Sequence, residues 1–181
     1  MKRLVIILIA GFVFTLCLSA YKTIQALAHP IRYESIIEIN AERFSIPSYL
    51  IASVINVESS YNETAISSKD ALGLMQVKLD TAQYISDLYN LGETIQENDL
   101  LTAEKNIEYG CRYLKYLINK FENTFTALIA YNAGETRVMA WLKDENFSTD
   151  GKSIYNIPYK ETKNYIEKIK KNMKFYEKIY K

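Results

Sequence analysis

The position of Glu58 is the most informative for chemistry, because a carboxylate stands where a helix should carry a hydrophobic residue. Ile51, Val54 and Ile55 recur at helical spacing, and Glu58 follows them by seven, four and three positions, so it extends the same apolar stripe. Burial against apolar neighbours raises the pKa of a carboxyl group and keeps it protonated near neutral pH. Glu58 is therefore a candidate general acid, and the alternative is a solvated residue at a helix end.

Short motifs with polar residues and glycine follow Glu58 at wide intervals along the chain. In order, they are Glu58-Ser59, Gly73-Leu74-Met75-Gln76, Ala130-Tyr131-Asn132-Ala133-Gly134, and a segment from Ile157-Pro158-Tyr159 to Tyr165-Ile166. The first motif alone would carry no information, since a Glu-Ser pair is common. Four motifs in this order and spacing form a specific signal.

The sequence from about residue 34 to residue 178 resembles the catalytic domain of the lytic transglycosylases, in the goose-type lysozyme-like superfamily. The resemblance implies an all-α, lysozyme-like (SLT-type) fold and peptidoglycan glycan strands as the substrate. It implies that Glu58 alone protonates the oxygen of the MurNAc-GlcNAc β-1,4 bond and then accepts a proton from the C6 hydroxyl of the same N-acetylmuramic acid. The expected product is a 1,6-anhydro sugar, with the substrate's own N-acetyl group stabilising the cationic intermediate.

The resemblance also implies a set of substrate contacts, each of which has an ordinary structural alternative. Met75 and Tyr165 are equally suited to core packing, and Ser59 to a hydrogen bond within its helix. Gly73 permits close approach of the backbone to a sugar or to a helix. The implied substrate-binding residues are Ser59, Gly73, Met75, Gln76, Tyr131, Asn132 and Tyr165.

Two other functions stay open on the sequence. One is a lysozyme-like hydrolase that uses water as the acceptor, and the other is a non-catalytic peptidoglycan-binding module that keeps the cleft. Ordinary glycoside hydrolysis uses two carboxylates. The neighbouring Glu63 and Asp70 lie in a polar loop, and we expect both to face water.

Composition and periodicity independently favour one helical domain. The chain has 181 residues, is 49% hydrophobic and contains only six Gly and three Pro, so a multi-stranded β fold is not expected. The link at Asn123 is very short, which predicts antiparallel neighbouring helices on either side of it. Helices are predicted over residues 33–44, 47–59, 81–91, 102–121, 125–142 and 158–180.

Several kinds of site and partner are not expected. One His and two Cys leave little for a zinc site or a Cys/His nucleophile pair, so we expect no metal and no cofactor. Cys111 lies in a helical pattern and is interpreted as a small buried hydrophobic residue. A pI near 7.6 lacks the basic footprint of a nucleic-acid-binding protein, and a monomer is expected. Residues 160–181 carry eight Lys against three Glu, which suits either an anionic polymer or membrane face, or a solvated helix surface.

The N-terminus predicts export. Lys2 and Arg3 precede an uncharged run, Leu4 to Ala20. We expect residues 1–20 to be an uncleaved, single-pass signal anchor, residues 21–33 a tether and residues 34–181 an extracytoplasmic catalytic domain. The alternative is a cleaved signal peptide and a secreted enzyme, because Ala26-Leu27-Ala28 is a small-x-small site, although it lies eight residues past the apolar run.

Overall fold

The computed structural model describes residues 2–28 and 32–180, in two compact units that are divided between Arg32 and Tyr33. The first unit contains helix α1, Lys2–Ala28, which continues through much of the segment predicted as a tether. Within the described residues, no helix combines the length and the apolar character of a membrane span. His29, which would follow the possible cleavage site, lies outside the described residues.

Residues 33–180 form a helical unit with one small hairpin, which confirms the all-α prediction. The elements are α2 Glu34–Phe44, α3 Ser48–Ser59, β1 Ala71–Leu72, β2 Val77–Lys78, α4 Leu79–Leu88, a 3₁₀ turn Asp99–Leu101, α5 Ala103–Phe121, α6 Thr124–Ala133, α7 Glu135–Trp141 and α8 Lys160–Tyr180. Helix α3 packs on α8, and α5 packs on α2 and α6.

The core forms where the predicted apolar stripes meet. Ile51 and Val54 of α3 and Leu114 of α5 have no exposed surface. Cys111, on the same stripe of α5, is also fully buried, and burial raises the pKa of its thiol, as expected for a small hydrophobic residue in the core. The two stripes therefore fix the helices from which the rest of the unit is positioned.

The side chain of Asn106 holds the hairpin against helix α5. Its Nδ2 donates hydrogen bonds to the carbonyl oxygens of Leu72 and Leu100, both at 2.7 Å, and its Oδ1 accepts one from the Met75 N–H at 2.7 Å. Asn106 has no exposed surface. One amide thus satisfies three backbone groups that are buried between the hairpin, the 3₁₀ turn and α5.

Gly73 lies where the backbone of the hairpin passes close to helix α5 and the 3₁₀ turn. Its φ of 69° lies in the left-handed region, and a Cβ there would overlap the Asn106 side chain and the Leu100 carbonyl oxygen. Of the two alternatives for this glycine, close approach to a helix is therefore the one that the fold requires.

Gly134 divides what was predicted as one helix over residues 125–142. Its backbone, at φ 93° and ψ 138°, ends α6 at Ala133 and starts α7 at Glu135. Only glycine adopts this conformation readily. A Cβ on Gly134 would meet no atom within 4 Å, so the residue serves the backbone conformation and not the close approach of two helices.

Glu63 does not face water as predicted, because it caps helix α5. Its Oε1 accepts a hydrogen bond from the Ala103 N–H at 2.6 Å, and its Oε2 accepts one from the Tyr33 hydroxyl at 3.1 Å. Thr102, the residue directly before the helix, makes no side-chain cap and instead donates its hydroxyl to the Asp99 carbonyl oxygen. A carboxylate is favoured at this position because it satisfies a free N–H and complements the helix dipole.

We predict that Asn106→Asp lowers the free energy of unfolding by about 3 kcal/mol or more, because a carboxylate cannot donate to the Leu72 and Leu100 carbonyl groups. Urea denaturation followed by circular dichroism measures the change. Asn119→Asp, at an exposed position of the same helix, is the matched control and should cost less than about 1 kcal/mol. Equal losses in the two variants would contradict the role of Asn106.

Candidate active site

A cavity of about 560 Å³ opens beside the C-terminal end of α3, and Glu58 is part of its wall. The lining residues come from the hairpin and the loop before it, from helices α4, α5, α6 and α7, and from the first turn of α8. The lining residues are Glu58, Ser67, Lys69, Ala71, Gln76, Val77, Lys78, Thr81, Tyr113, Tyr131, Asn132, Ala133, Gly134, Arg137 and Glu161.

The carboxyl group of Glu58 has the perturbed pKa that its place on the apolar stripe predicts. Burial raises this pKa from 4.5 to about 7, the nearby hydroxyl of Tyr165 acts against that change, and the negative charge of Glu161 adds to it. Glu58 is therefore present in both its protonated and its ionised form near neutral pH. Such a group can donate a proton and can also accept one.

Two tyrosines flank Glu58. Tyr165 is buried, and the raised pKa of its phenol comes first from burial and then from the charge of Glu58. Its hydroxyl is buried and has no hydrogen-bond partner of standard geometry within residues 32–180, but it lies near enough to the Glu58 carboxyl group to influence its pKa. Tyr131, whose pKa is raised in the same way, donates its hydroxyl to the Met75 carbonyl oxygen at 2.8 Å.

The structure brings three of the predicted binding residues to the cavity with Glu58: Gln76, Tyr131 and Asn132. The Gln76 Nε2 donates to the carbonyl oxygens of Ala65 at 3.2 Å and Gly73 at 2.9 Å, which leaves its Oε1 as an acceptor. Asn132 is half-buried, and its amide has no hydrogen-bond partner among the described side chains and backbone. Both amides can therefore offer hydrogen bonds to a ligand.

Three other predicted contacts have structural roles instead. Met75 is fully buried against Gly110, so its side chain cannot lie on a sugar ring. The Ser59 hydroxyl donates to the carbonyl oxygens of Ile55 and Leu74, which ties α3 to the turn of the hairpin. Gly73 contacts α5, as described above. These three residues face the protein interior.

Lys69 and Glu161 also line the cavity and were not predicted as site residues. Their side chains form an ion pair at 3.3 Å although they lie 92 positions apart in sequence. Glu161 precedes Tyr165 by one helical turn, a spacing that places it on the same face and could have identified it. Lys69 carries no such signal, because it lies in an irregular loop.

No metal-ligating cluster of three or more His, Cys, Asp or Glu side chains occurs in the parts of the chain that the structure describes.

Comparison with known proteins agrees with this geometry. The sequence model described as "Transglycosylase SLT domain" matches residues 35–154. The chain belongs to this family.

Among the family's curated members, the chain is 29% identical over 154 residues to the soluble lytic murein transglycosylase of Escherichia coli strain K12, covering 84% of this chain and 23% of that protein. It is 30% identical over 176 residues to the membrane-bound lytic murein transglycosylase C of Edwardsiella ictaluri, covering 82% of this chain and 47% of that protein. The chain therefore spans about a quarter to a half of the length of these relatives.

Solved structures show the same fold. The 70 kDa soluble lytic transglycosylase from Escherichia coli superposes with a TM-score of 0.74 at 27% identity, over 83% of this chain and 25% of that one. An inactive mutant of the lytic transglycosylase Slt from Pseudomonas aeruginosa gives a TM-score of 0.73 at 28% identity, over 82% and 24%. The lysozyme-like SLT fold predicted from the sequence is thereby confirmed.

We predict that Glu161→Gln lowers the pKa of Glu58, because it removes a negative charge that raises this pKa and releases Lys69 from its ion pair. The half-titration point of the Glu58 carboxyl carbon in NMR should move from about 7 to a lower pH. Glu167→Gln, on the same helix but outside the cavity, is the matched control and should leave it in place. A Glu58 pKa that stays unchanged or rises in Glu161→Gln would contradict this description of the cavity.

Proposed function

We propose that the chain is a peptidoglycan lytic transglycosylase that cleaves the MurNAc-GlcNAc β-1,4 bond and forms 1,6-anhydro-MurNAc, with Glu58 as its single acid and base. One observation carries the proposal: a carboxyl group with a pKa of about 7 lies in the cavity of a transglycosylase SLT domain. The curated relatives are named as lytic murein transglycosylases, and we extend that substrate to this chain.

In the first step, protonated Glu58 gives its proton to the glycosidic oxygen while the bond from that oxygen to C1 of the muramic acid breaks. The carboxylate that remains is the form to which the buried hydroxyl of Tyr165 would donate a hydrogen bond. Because this bond favours the ionised form, Tyr165 would assist proton release at the moment the leaving group departs.

In the second step, the same carboxylate takes the proton from the C6 hydroxyl, and the C6 oxygen bonds to C1. Glu58 thus recovers the proton that it gave, and no water is consumed. A pKa of about 7 suits both steps, since the proton is held neither too tightly nor too loosely near neutral pH. The Gln76 Oε1 and the Asn132 amide would bind the N-acetyl groups that orient the sugar.

Glu161 is the residue that a rival hydrolytic mechanism would need as its second carboxylate, since it lines the same cavity. Its carboxylate pairs with Lys69 at 3.3 Å, and both side chains are about 70% exposed (70% and 72%). This arrangement suits an electrostatic role toward Glu58 better than the activation of a water molecule. A non-catalytic binding module would have no use for the raised pKa of Glu58.

We further propose that the domain acts outside the cytoplasm and that residues 1–20 hold it at the membrane as a signal anchor. The uncharged run after Lys2 and Arg3 supports export with the basic end retained inside. One relative is named as membrane-bound and another as soluble, so both modes occur in the family. Secretion after cleavage near Ala28 is the alternative.

We predict that Glu58→Gln lowers the release of muropeptides by at least about 10²-fold, because an amide of the same shape cannot donate a proton. Purified wall material is digested with each variant, and the products are identified by mass spectrometry. Glu167→Gln is the matched control and should keep wild-type activity, since it lies outside the cavity. Circular dichroism checks that both variants fold.

The product of the wild type separates the candidate functions. Anhydro-muropeptides, lighter by one water than the hydrolytic products, are expected. Products that contain the added water would show a lysozyme-like hydrolase, and binding without any product would show a wall-binding module. Half of the wild-type rate in Glu58→Gln would mean that another residue supplies the proton.

For the N-terminal segment, we predict that the full chain stays with the membrane fraction after alkaline carbonate extraction and retains its N-terminal residues. Cell fractionation followed by N-terminal sequencing measures both. Recovery from the medium of a form that begins at His29 would establish a cleaved signal peptide instead.

A further inference from the structure

Four tyrosines form a continuous row that begins in the cavity and ends at the protein surface. Tyr131 and Tyr113 line the cavity, and their ring centroids are 5.3 Å apart. Tyr113 is nearly parallel to Tyr116 at 6.3 Å, and Tyr116 meets Tyr84 in an edge-on contact at 5.8 Å. Each ring contacts the next, so the row extends the aromatic wall of the cavity outward.

The row leaves the cavity between helices α4 and α5. On α4, Thr81 lines the cavity and Tyr84 follows it by three residues; on α5, Tyr113 lines the cavity and Tyr116 follows it by three residues. Residues at this spacing lie on one face of a helix. Tyr84 and Tyr116 contact each other. The row therefore extends away from the cavity along both helices.

Tyr116 is fixed by its neighbours, whereas Tyr84 is open. The Lys120 ammonium group lies over the Tyr116 ring at 5.5 Å, donates to its hydroxyl at 3.2 Å and is itself paired with Glu135. The Tyr84 hydroxyl donates to the Tyr116 hydroxyl at 3.2 Å. Tyr116 thus contacts the Tyr84 ring and bonds to its hydroxyl, while 47% of the Tyr84 surface is exposed. An exposed aromatic ring with a fixed orientation is suited to bind a flat, amphipathic ligand at little entropic cost.

We propose that Tyr84 is the platform of an additional glycan subsite, where a sugar of the same strand stacks outside the cavity. The proposal rests on the function proposed above. The occupant is a sugar because the row is continuous with the cavity that would hold the strand, and because a pyranose has an apolar C–H face for a ring and hydroxyl groups for the polar edge. Long strands would gain this contact, and short fragments confined to the cavity would not.

The test compares full-length variants on two peptide-free substrates: long glycan strands, and the shortest fragment that the wild type cleaves. For Tyr84→Ala we expect kcat/KM to fall about 2- to 10-fold on the long strands and to stay unchanged on the short fragment. Tyr84→Phe should retain the wild-type ratio, since it keeps the ring. Tyr89→Ala is the matched control, because Tyr89 is 43% exposed and adjoins the same helix but lies outside the row.

The deciding quantity is kcat/KM on the long strands divided by kcat/KM on the short fragment. If this ratio is the same in Tyr84→Ala as in the wild type, the subsite is overturned, whether both values fall together or neither falls. If the wild type cleaves no glycan strand or fragment of any length, the proposed function fails separately. Calorimetric titration of the long strands into the wild type and Tyr84→Ala then still decides the subsite: weaker binding by Tyr84→Ala supports it, and equal binding, or none by either protein, contradicts it.

Discussion

The amide of Asn106 is the interaction on which the cavity depends. It donates hydrogen bonds to the Leu72 carbonyl oxygen of β1 and to the Leu100 carbonyl oxygen of the 3₁₀ turn. It also accepts a hydrogen bond from the Met75 N–H, in the turn between the two strands. The Met75 carbonyl oxygen accepts a hydrogen bond from the Tyr131 hydroxyl. The Met75 backbone therefore links the core of α5 to the wall of the cavity, and the position of Gln76, the next residue, follows from it.

The environment of Glu58 is set by residues that are far apart in sequence. Burial in the folded unit raises its pKa, and α8 supplies both the hydroxyl of Tyr165 and the charge of Glu161. These contributions oppose one another, because burial and the second carboxylate favour the neutral form and the hydroxyl favours the ionised form. The close packing of α3 on α8 is thus a condition for the pKa, in addition to being the centre of the core.

The periodicity of apolar residues predicted those features that depend on the sequence of a single helix. The stripe of α3, the buried Cys111 and the all-α fold were correctly derived from spacing. The break at Gly134 was missed, because the apolar pattern continues across a residue whose backbone dihedrals alone redirect the chain. Glu63 was misplaced because its partner, the Ala103 N–H, lies 40 residues away. Residues of several motifs line one cavity, but the motifs could not tell whether Ser59 and Met75 face a ligand or the hairpin.

The raised pKa of Glu58 also makes the stability of the fold depend on pH. A carboxyl group whose pKa rises from 4.5 to about 7 on folding contributes stability that is complete below about pH 4.5 and is lost as the pH rises through 7. For a half-buried group the difference is on the order of 1–3 kcal/mol. A proton is in this sense a stabilising ligand of the domain, with a binding midpoint near neutrality. As the pH falls toward about 4.5, this one carboxyl group favours the folded domain more strongly, whereas carboxyl groups with a lowered pKa, such as that of Glu93, act in the opposite direction.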